Sequence, residues 1–397
     1  MNILVSNVGS TSLKFKLYRM PAENVLCEAR IENIGSDEAG YRFSNNVDRT
    51  GYEKTAAISS YKEGIDLFLN DLTGREYGVL TSVDMIDAVG FKTVIAKGCN
   101  GTVLLDEAVL KAMEEMLFIA PVHNRAYIDA ITQFRQVMPL VRMVGVFETS
   151  FHQTIPLKNR IYPIPYEWYE RYGIARNGYH GASFTYLAGE ARKEKDYRFI
   201  IGCHLGGSSS ICAIRDGKSY DSSFGFSLQT GLPHANRSGD ADPYLVPFLQ
   251  EQGLSWQEID EGLSHRGGLL GISGLSNDLR EIISAADQGN ERATLALDAY
   301  ATAIVRYIGA FYAEMGGLEK LVFTGGIGEN SARIRSIVCG QHGHLGIVLD
   351  EKANEDVPSD GFISSADSKV LVQVIRADEE TGIARETYRY LNEEHKS

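Results

Sequence analysis

One device occurs twice in this chain of 397 residues. Near the N-terminus, Ile3-Leu4-Val5-Ser6-Asn7-Val8 runs through Gly9-Ser10-Thr11-Ser12 into Leu13-Lys14-Phe15-Lys16-Leu17. Far downstream, Phe199-Ile200-Ile201-Gly202-Cys203-His204 runs through Leu205-Gly206-Gly207-Ser208-Ser209 into Ser210-Ile211-Cys212-Ala213-Ile214. Each copy is an apolar strand, a tight turn of glycine and serine, and a second strand. Such a turn gathers hydroxyls and backbone N–H groups between two stiff strands, which makes a cradle for phosphate. Two cradles facing each other across a cleft would grip the phosphates of one nucleotide. The repeat constrains the chain to two similar halves and points to phosphoryl-transfer chemistry.

The pattern around each copy extends the repeat. After the first hairpin the sequence predicts a third strand at 25–31, strand-like residues at 43–58 and a helix over Tyr61–Leu72. A buried strand at 87–95 follows, then helices at 106–118 and 124–137, and a strand over Leu140–Phe147. The second half restarts at Tyr197 with a hairpin and a third strand reaching Ser222. Helices follow near 243–252, 255–262, 277–288 and 291–316, then a strand over Leu321–Thr324, a helix, a strand at 370–375 and a last helix at 378–393. Strands with intervening helices indicate an α/β protein with mixed sheets. The expected division is residues 1–150 with 386–397, and residues 151–385.

Composition narrows the partners. Net charge is −13, and no block of Lys and Arg offers a footprint for nucleic acid. No apolar run has the length of a transmembrane helix. Five scattered cysteines without a CxxC pair suit a reducing, cytoplasmic compartment. The start Met1-Asn2-Ile3-Leu4-Val5 enters a strand directly, without a signal-peptide pattern.

Several segments carry candidate chemistry. Thr324–Arg333 reads as strand, Gly-rich loop and helix, where ligands meet the carboxyl end of a sheet strand. In Arg237-Ser238-Gly239-Asp240-Ala241-Asp242-Pro243, Asp242 would cap a helix with Pro243 at its first position. Arg237 just ahead suits bidentate contact with a carboxylate or phosphoryl group, or a plain surface ion pair. His180 and His123 sit among small residues. Glu148 and the pair Glu379 and Glu380, at the ends of predicted strands, have the chemistry to hold Mg²⁺ together with phosphate oxygens.

Taken in order, these segments resemble the acetate kinase family from residue 1 to about 390. The resemblance rests on Asn7 to Lys14, Pro121-Val122-His123-Asn124, Phe147 to Pro156, Gly178-Tyr179-His180-Gly181 and His204-Leu205-Gly206. It rests further on Arg237 to Pro243, Gly271-Ile272-Ser273-Gly274 with Asn277-Asp278-Leu279-Arg280, and Phe323 to Asn330. Arg-Ser-Gly-Asp and Gly-Gly-Ile-Gly-Glu-Asn are the most specific elements. The resemblance implies the duplicated fold shared with actin, Hsp70 and sugar kinases, with ATP and Mg²⁺ (or Mn²⁺) in a cleft, and a homodimer joined through the C-terminal half. It implies reversible, ATP-dependent phosphorylation of a short-chain carboxylate, acetate or propionate. Asn7, Ser10, Ser12 and Lys14 match the first phosphate motif, and His204, Gly206 and Ser210 the second, whose loop includes Gly207 as a further nucleotide-binding position. Gly325, Gly326, Ile327 and Asn330 match the adenosine motif, and Asp278, Leu279 and Arg280 flank the base. Arg237, His180 and His123 match groups around the transferring phosphoryl. Glu379, with Asn7, matches the metal-linked position. Val94, Val122, Tyr179 and Leu228 align with the acyl pocket.

This sequence departs from the family pattern toward the acceptor. Lys92 stands for an arginine, Glu148 for an aspartate, Gly207 for an asparagine and Leu228 for a proline. Ala96-Lys97-Gly98 stands for His-Gly-Gly, and Phe184 for a histidine. Lys92 keeps the charge but loses the planar fork. These changes keep two further readings open: a kinase of this fold with another carboxylate acceptor, and a nucleotide-binding protein that has lost transfer. A short-chain acid with a pKa of about 4–5, like side-chain carboxyls, is already ionised at neutral pH, so no general base is required. The demand falls on alignment and charge neutralisation. Arg237, Lys92 and His180 are expected to donate, and Glu148 to orient a neighbouring donor or metal-bound water.

Overall fold

The computed structural model describes residues 1–9, 11–118, 121–357 and 360–394, less the side chains of 121–123 and 394. The chain divides into two compact units, Met1–Ser150 with Asp378–Ser397, and Phe151–Ala377.

The first unit is built on an eight-stranded sheet. Its strands are β1 (Asn2–Val8), β2 (Leu13–Arg19), β3 (Asn24–Glu32), β4 (Ser36–Asn45), β5 (Thr50–Ile58), β6 (Ala88–Thr93), β7 (Thr102–Leu104) and β8 (Arg142–Phe147). Their order is β5-β4-β3-β2-β1-β6-β8-β7, with β1, β6 and β8 parallel. Alternation makes β2: Leu13, Phe15 and Leu17 are buried, while Lys14 and Lys16 face the other side. Helix Tyr61–Thr73 starts at Ser60, whose hydroxyl accepts the Glu63 N–H, and buries Ile65, Phe68, Leu69 and Leu72.

The second unit holds a six-stranded sheet in the order β11-β10-β9-β12-β14-β13. These are β9 (Phe199–His204), β10 (Ser210–Arg215), β11 (Lys218–Ser222), β12 (Lys320–Thr324), β13 (Gly361–Phe362) and β14 (Leu371–Val374). Helix Glu291–Met315 buries Ala296, Leu297, Tyr300, Ile304, Ile308, Phe311 and Met315 on its core side, and Gly316 ends it in the left-handed conformation. Within each sheet, third, second and first strands run antiparallel, and two parallel strands follow the first. The expected duplicated α/β class is therefore observed, with β4 and β5 as additions to the first sheet.

Several local expectations are corrected. Residues 43–58 belong to two antiparallel strands, because the turn at 46–49 reverses the chain. The chain re-enters the first unit at Asp378, not at 386, since the last helix, Glu379–Glu394, lies wholly against that sheet. Glu379 and Glu380 thus occupy a helical first turn, not a strand end, where the helix dipole favours carboxylates. Thr324–Arg333 contains no loop: helix Gly325–Asn330 leaves β12 directly and helix Ala332–Gly340 follows. Gly325 permits this with φ +78, at a point where a Cβ would lie 2.6 Å from the Leu205 carbonyl oxygen. Asp242 accepts the Tyr244 N–H (2.9 Å), but the helix begins at Leu245, so Pro243 precedes it. Helix Gly181–Ala191 buries Ala182, Phe184, Leu187, Ala188 and Ala191, while Tyr186 and Gly189 on its less buried side blur the polar period.

Candidate functional site

The first unit assembles a charged cluster under its last helix. Gly90 on β6 lets that helix approach: a Cβ there would stand 2.5 Å from Thr387 Oγ1 and 3.0 Å from Ile383 Cγ2. Lys92 follows two residues later on the same strand face. Its Nζ lies 2.7 Å from Glu148 Oε1 and 2.6 Å from Glu379 Oε2. Glu148 sits just past β8, its N–H donating to the Thr93 carbonyl (2.7 Å). Burial alone would depress the Lys92 pKa. The two carboxylates outweigh it and hold the ammonium well above its ordinary value.

Asn7 stands beside this cluster. Its amide donates to Glu380 Oε1 (3.2 Å), and its carbonyl oxygen accepts from the Tyr127 hydroxyl (3.3 Å). Lys14 is the register partner of Asn7 on β2. It borders a cavity of about 390 Å³ with Lys16, Arg30, Arg42 and Glu380. In the turn, Ser12 accepts the Gly9 N–H through its backbone carbonyl (2.9 Å). Val94 is buried just past β6. Ser10 and the side chains of Val122 and His123 lie outside the described residues. Among the described residues, no three His, Cys, Asp or Glu side chains form a metal cage. The carboxylates of Glu379 and Glu380 and the Asn7 carbonyl are hard oxygen donors, which suit an ion that takes its remaining ligands from phosphate and water.

The second unit assembles two neighbouring features. The first is a column of rings. His180 takes φ 60, unusual for a non-glycine residue, and caps helix Gly181–Ala191. Its Nδ1 is 2.7 Å from Ser210 Oγ, and its ring stacks on His204 at 4.0 Å between centroids. His204 Nδ1 in turn meets Ser183 Oγ at 2.8 Å. Phe224 lies against the other side of His180, and His234 stacks on Phe224. Fully buried His152 braces the approach to His180, with Nδ1 at 2.8 Å from Ser219 Oγ and Nε2 at 2.8 Å from the Tyr179 carbonyl. Burial pushes its pKa down to about 4, so the ring is neutral. Tyr179 is buried and donates its hydroxyl to the Phe226 carbonyl (2.9 Å); Leu228 is half-buried. Arg237 extends its Nη2 to Ser208 Oγ (2.6 Å). Burial lowers its pKa to about 10, which leaves the guanidinium charged at neutral pH.

The second feature is a cavity of about 640 Å³. Gly206 and Gly207 form one wall, Gly326, Ile327 and Asn330 another, and Asp278, Leu279 and Arg280 a third. The Leu205 carbonyl accepts the N–H groups of Ile327 (2.8 Å) and Gly328 (3.1 Å), which sets the short helix against the turn. Asn330 donates to the Gly326 carbonyl (2.8 Å). Asp278 caps helix Leu279–Asp287 and also grips the exposed Arg280 guanidinium at 2.5 to 3.1 Å. That pairing pulls the Asp278 pKa down to about 2.

Expected residues thus gather as Asn7, Lys92, Glu148 and Glu379 in one unit. In the other, His180, His204, Ser210 and Arg237 meet the turn, and the adenosine-motif residues meet Asp278–Arg280. Sequence reasoning did not single out Tyr127, Ala235, Ile283, Ser331 or His234. The first four are ordinary core or loop residues in sequence. His234 stands three residues before Arg237, and that nearness was its one available signal.

The acetokinase family model matches residues 2–385. An acetate kinase of Shouchella clausii is 40% identical over 393 residues, spanning 98% of each chain. The crystal structure of an acetate kinase from Porphyromonas gingivalis superposes with a TM-score of 0.87 at 37% identity, covering 98% of this chain and 99% of that one. A propionate kinase structure from Francisella tularensis gives 0.86 at 33% identity, covering 97% and 98%.

Proposed function

The chain belongs to the acetokinase family, and on that premise we propose that it moves the γ-phosphoryl group of ATP to acetate or propionate, reversibly. It is a carboxylate-accepting phosphotransferase. The observation that most supports the nucleotide role is the 640 Å³ cavity walled by Gly206, Gly207, Gly326 and Asp278–Arg280. Its volume and mixed lining suit a purine nucleoside, with Gly206 and Gly207 presenting backbone to phosphate.

In the reaction a carboxylate oxygen attacks the γ-phosphorus, the bond to the β-bridging oxygen breaks, and ADP leaves with that electron pair. The nucleophile is already ionised, so no residue removes a proton. Arg237 and His180 neutralise the equatorial oxygens, and Ser210 and His204 hold the His180 ring for that contact. Ser10, Ser12 and Lys14 receive phosphate in the first unit. By the family resemblance, Val94 and Val122 of the first unit and Tyr179 and Leu228 of the second are assigned to the acyl chain, and His123 to the phosphoryl group. Glu379 and Asn7 would hold Mg²⁺ (or Mn²⁺). The bound ion supplies counter-charge to the phosphate oxygens. Glu148 fixes Lys92.

The test is ADP release in the presence of formate, acetate, propionate and butyrate. Carboxylate-dependent turnover with acetate or propionate is expected; silence with all four overturns the choice of acid. A second reading, another carboxylate as acceptor, is favoured by Lys92, whose charge is engaged by Glu148 and Glu379. Turnover confined to a longer or substituted acid would establish it.

We also propose a homodimer joined through the second unit. Tyr166, Trp168 and Tyr172 are exposed on one helix, and Tyr244, Leu245, Phe248 and Trp256 on a second segment, large apolar side chains of the kind a subunit contact buries. Sedimentation equilibrium is expected to give twice the 43.8 kDa chain mass. A monomer at micromolar concentration removes the proposal. No helix among the described residues is long and apolar enough to cross a membrane. The five cysteines are free, four of them buried, which supports a cytoplasmic setting. The net charge of −13 argues against a nucleic-acid partner.

A further inference from the structure

His234 is fully buried, lies outside the expected site, and makes a contact that a core histidine does not need. The Ser209 N–H donates to its Nδ1 at 3.0 Å. The ring nitrogen at that position therefore carries a lone pair, and the proton resides on Nε2. Burial, with the Arg237 charge as the lesser cause, lowers the His234 pKa to about 3, so the acceptor is present at all physiological pH values. Two further ties run alongside. The Ala235 N–H donates to the Gly207 carbonyl (2.9 Å), and Arg237 Nη2 donates to Ser208 Oγ (2.6 Å). Residues 207, 208 and 209 of the turn are thus each fastened to the segment 234–237.

The turn is also braced from within. Ser209 Oγ donates to the Gly206 carbonyl (2.9 Å) and lies 2.8 Å from the Tyr300 hydroxyl on the long helix. The His234 ring is held flat on Phe224, with centroids 5.2 Å apart and planes 14° apart, and Phe224 lies against His180. One side chain therefore touches both the backbone of the phosphate turn and the column that carries His180.

We propose that His234 is a positioning residue for the nucleotide phosphates: its Nδ1 fixes the Ser209 amide and so holds the Gly206–Ser210 turn in register with Arg237. The proposal rests on the phosphotransferase reading above. Without the acceptor, the Ser209 N–H is a buried donor with no partner, and the turn shifts to satisfy it. His234→Phe keeps a ring on Phe224 and removes the acceptor. His234→Asn places an amide oxygen near the position of Nδ1 and removes the ring.

Hydrogen exchange of the Ser209 amide, followed in the full chain without substrates, is expected to accelerate about tenfold in His234→Phe. In His234→Asn it is expected to stay near the wild-type rate. Steady-state kinetics are expected to show the ATP KM raised about tenfold in His234→Phe with the carboxylate KM within about twofold, and rescue by His234→Asn. His234→Leu supplies the same comparison should the phenylalanine fail to fold. Equal exchange in the Phe (or Leu) and Asn variants, or a wild-type exchange rate in all of them, overturns the proposal. So does an equal rise in both KM values. Exchange is read without catalysis, so a protein that phosphorylates none of the tested acids still decides the role of His234.

Discussion

Arg237→Ala is expected to lower kcat by about 10²- to 10³-fold while the affinity for ATP changes only a few-fold. The guanidinium is half-buried but still charged, and among the described residues its side-chain partner is the neutral Ser208 hydroxyl. A buried cation without a carboxylate is costly unless a ligand supplies the opposite charge. On the proposed reading, ATP in its ground state would have other contacts, in the 640 Å³ cavity and at the turn of Gly206 and Gly207. Loss of the guanidinium therefore falls on the charge that develops during transfer. Isothermal titration with ATP, set beside the steady-state kcat, separates the two. A collapse of ATP binding with little further loss in kcat would move Arg237 from the phosphoryl group to the nucleotide.

Lys92→Met is expected to destabilise the protein by about 3 kcal/mol at neutral pH, because it leaves the carboxylates of Glu148 and Glu379 facing each other without their cation. The loss exceeds that of an exposed ion pair, since Lys92 and Glu148 are only 18% and 6% exposed at their side chains. Most of the penalty lies in the repulsion left between the two carboxylates and not in the lost contact. Lys92→Met with Glu148→Gln should therefore recover a substantial part of it, a non-additivity that urea denaturation can read. Additive losses, or a single variant as stable as wild type, would show that the cluster is solvated and contributes little.

The duplicated fold was legible from a few residues. Leu13, Phe15 and Leu17 alternate with Lys14 and Lys16, and the same hairpin recurs at Phe199–Arg215. Strand alternation is local, so it shows in sequence. The long helix Glu291–Met315 was legible for the same reason, through its buried positions at helical spacing. Helix Gly181–Ala191 was not, because Tyr186 and Gly189 stand beside Thr185 and Glu190 on its less buried side and blur the polar period. The return of the chain to the first unit was legible, but its start at Asp378 was not. That crossing is fixed by contact between the last helix and β6, across nearly 300 residues of sequence.

The two cradles themselves differ in what supports them. In the first, Asn7 and Lys14 face each other across β1 and β2, which their spacing in the hairpin already required. In the second, the turn is held by His234, Ala235, Arg237 and Tyr300, residues with no fixed spacing from Gly206. By itself, the sequence determined two strand–turn–strand units, the residue types that meet phosphate, and the family that uses them. Only the tertiary structure decided that Lys92 lies between Glu148 and Glu379 and that His234 holds the Ser209 amide. Hydrogen bonds and ion pairs act over about 3 Å of space, whatever the separation along the chain, and a sequence records only the latter.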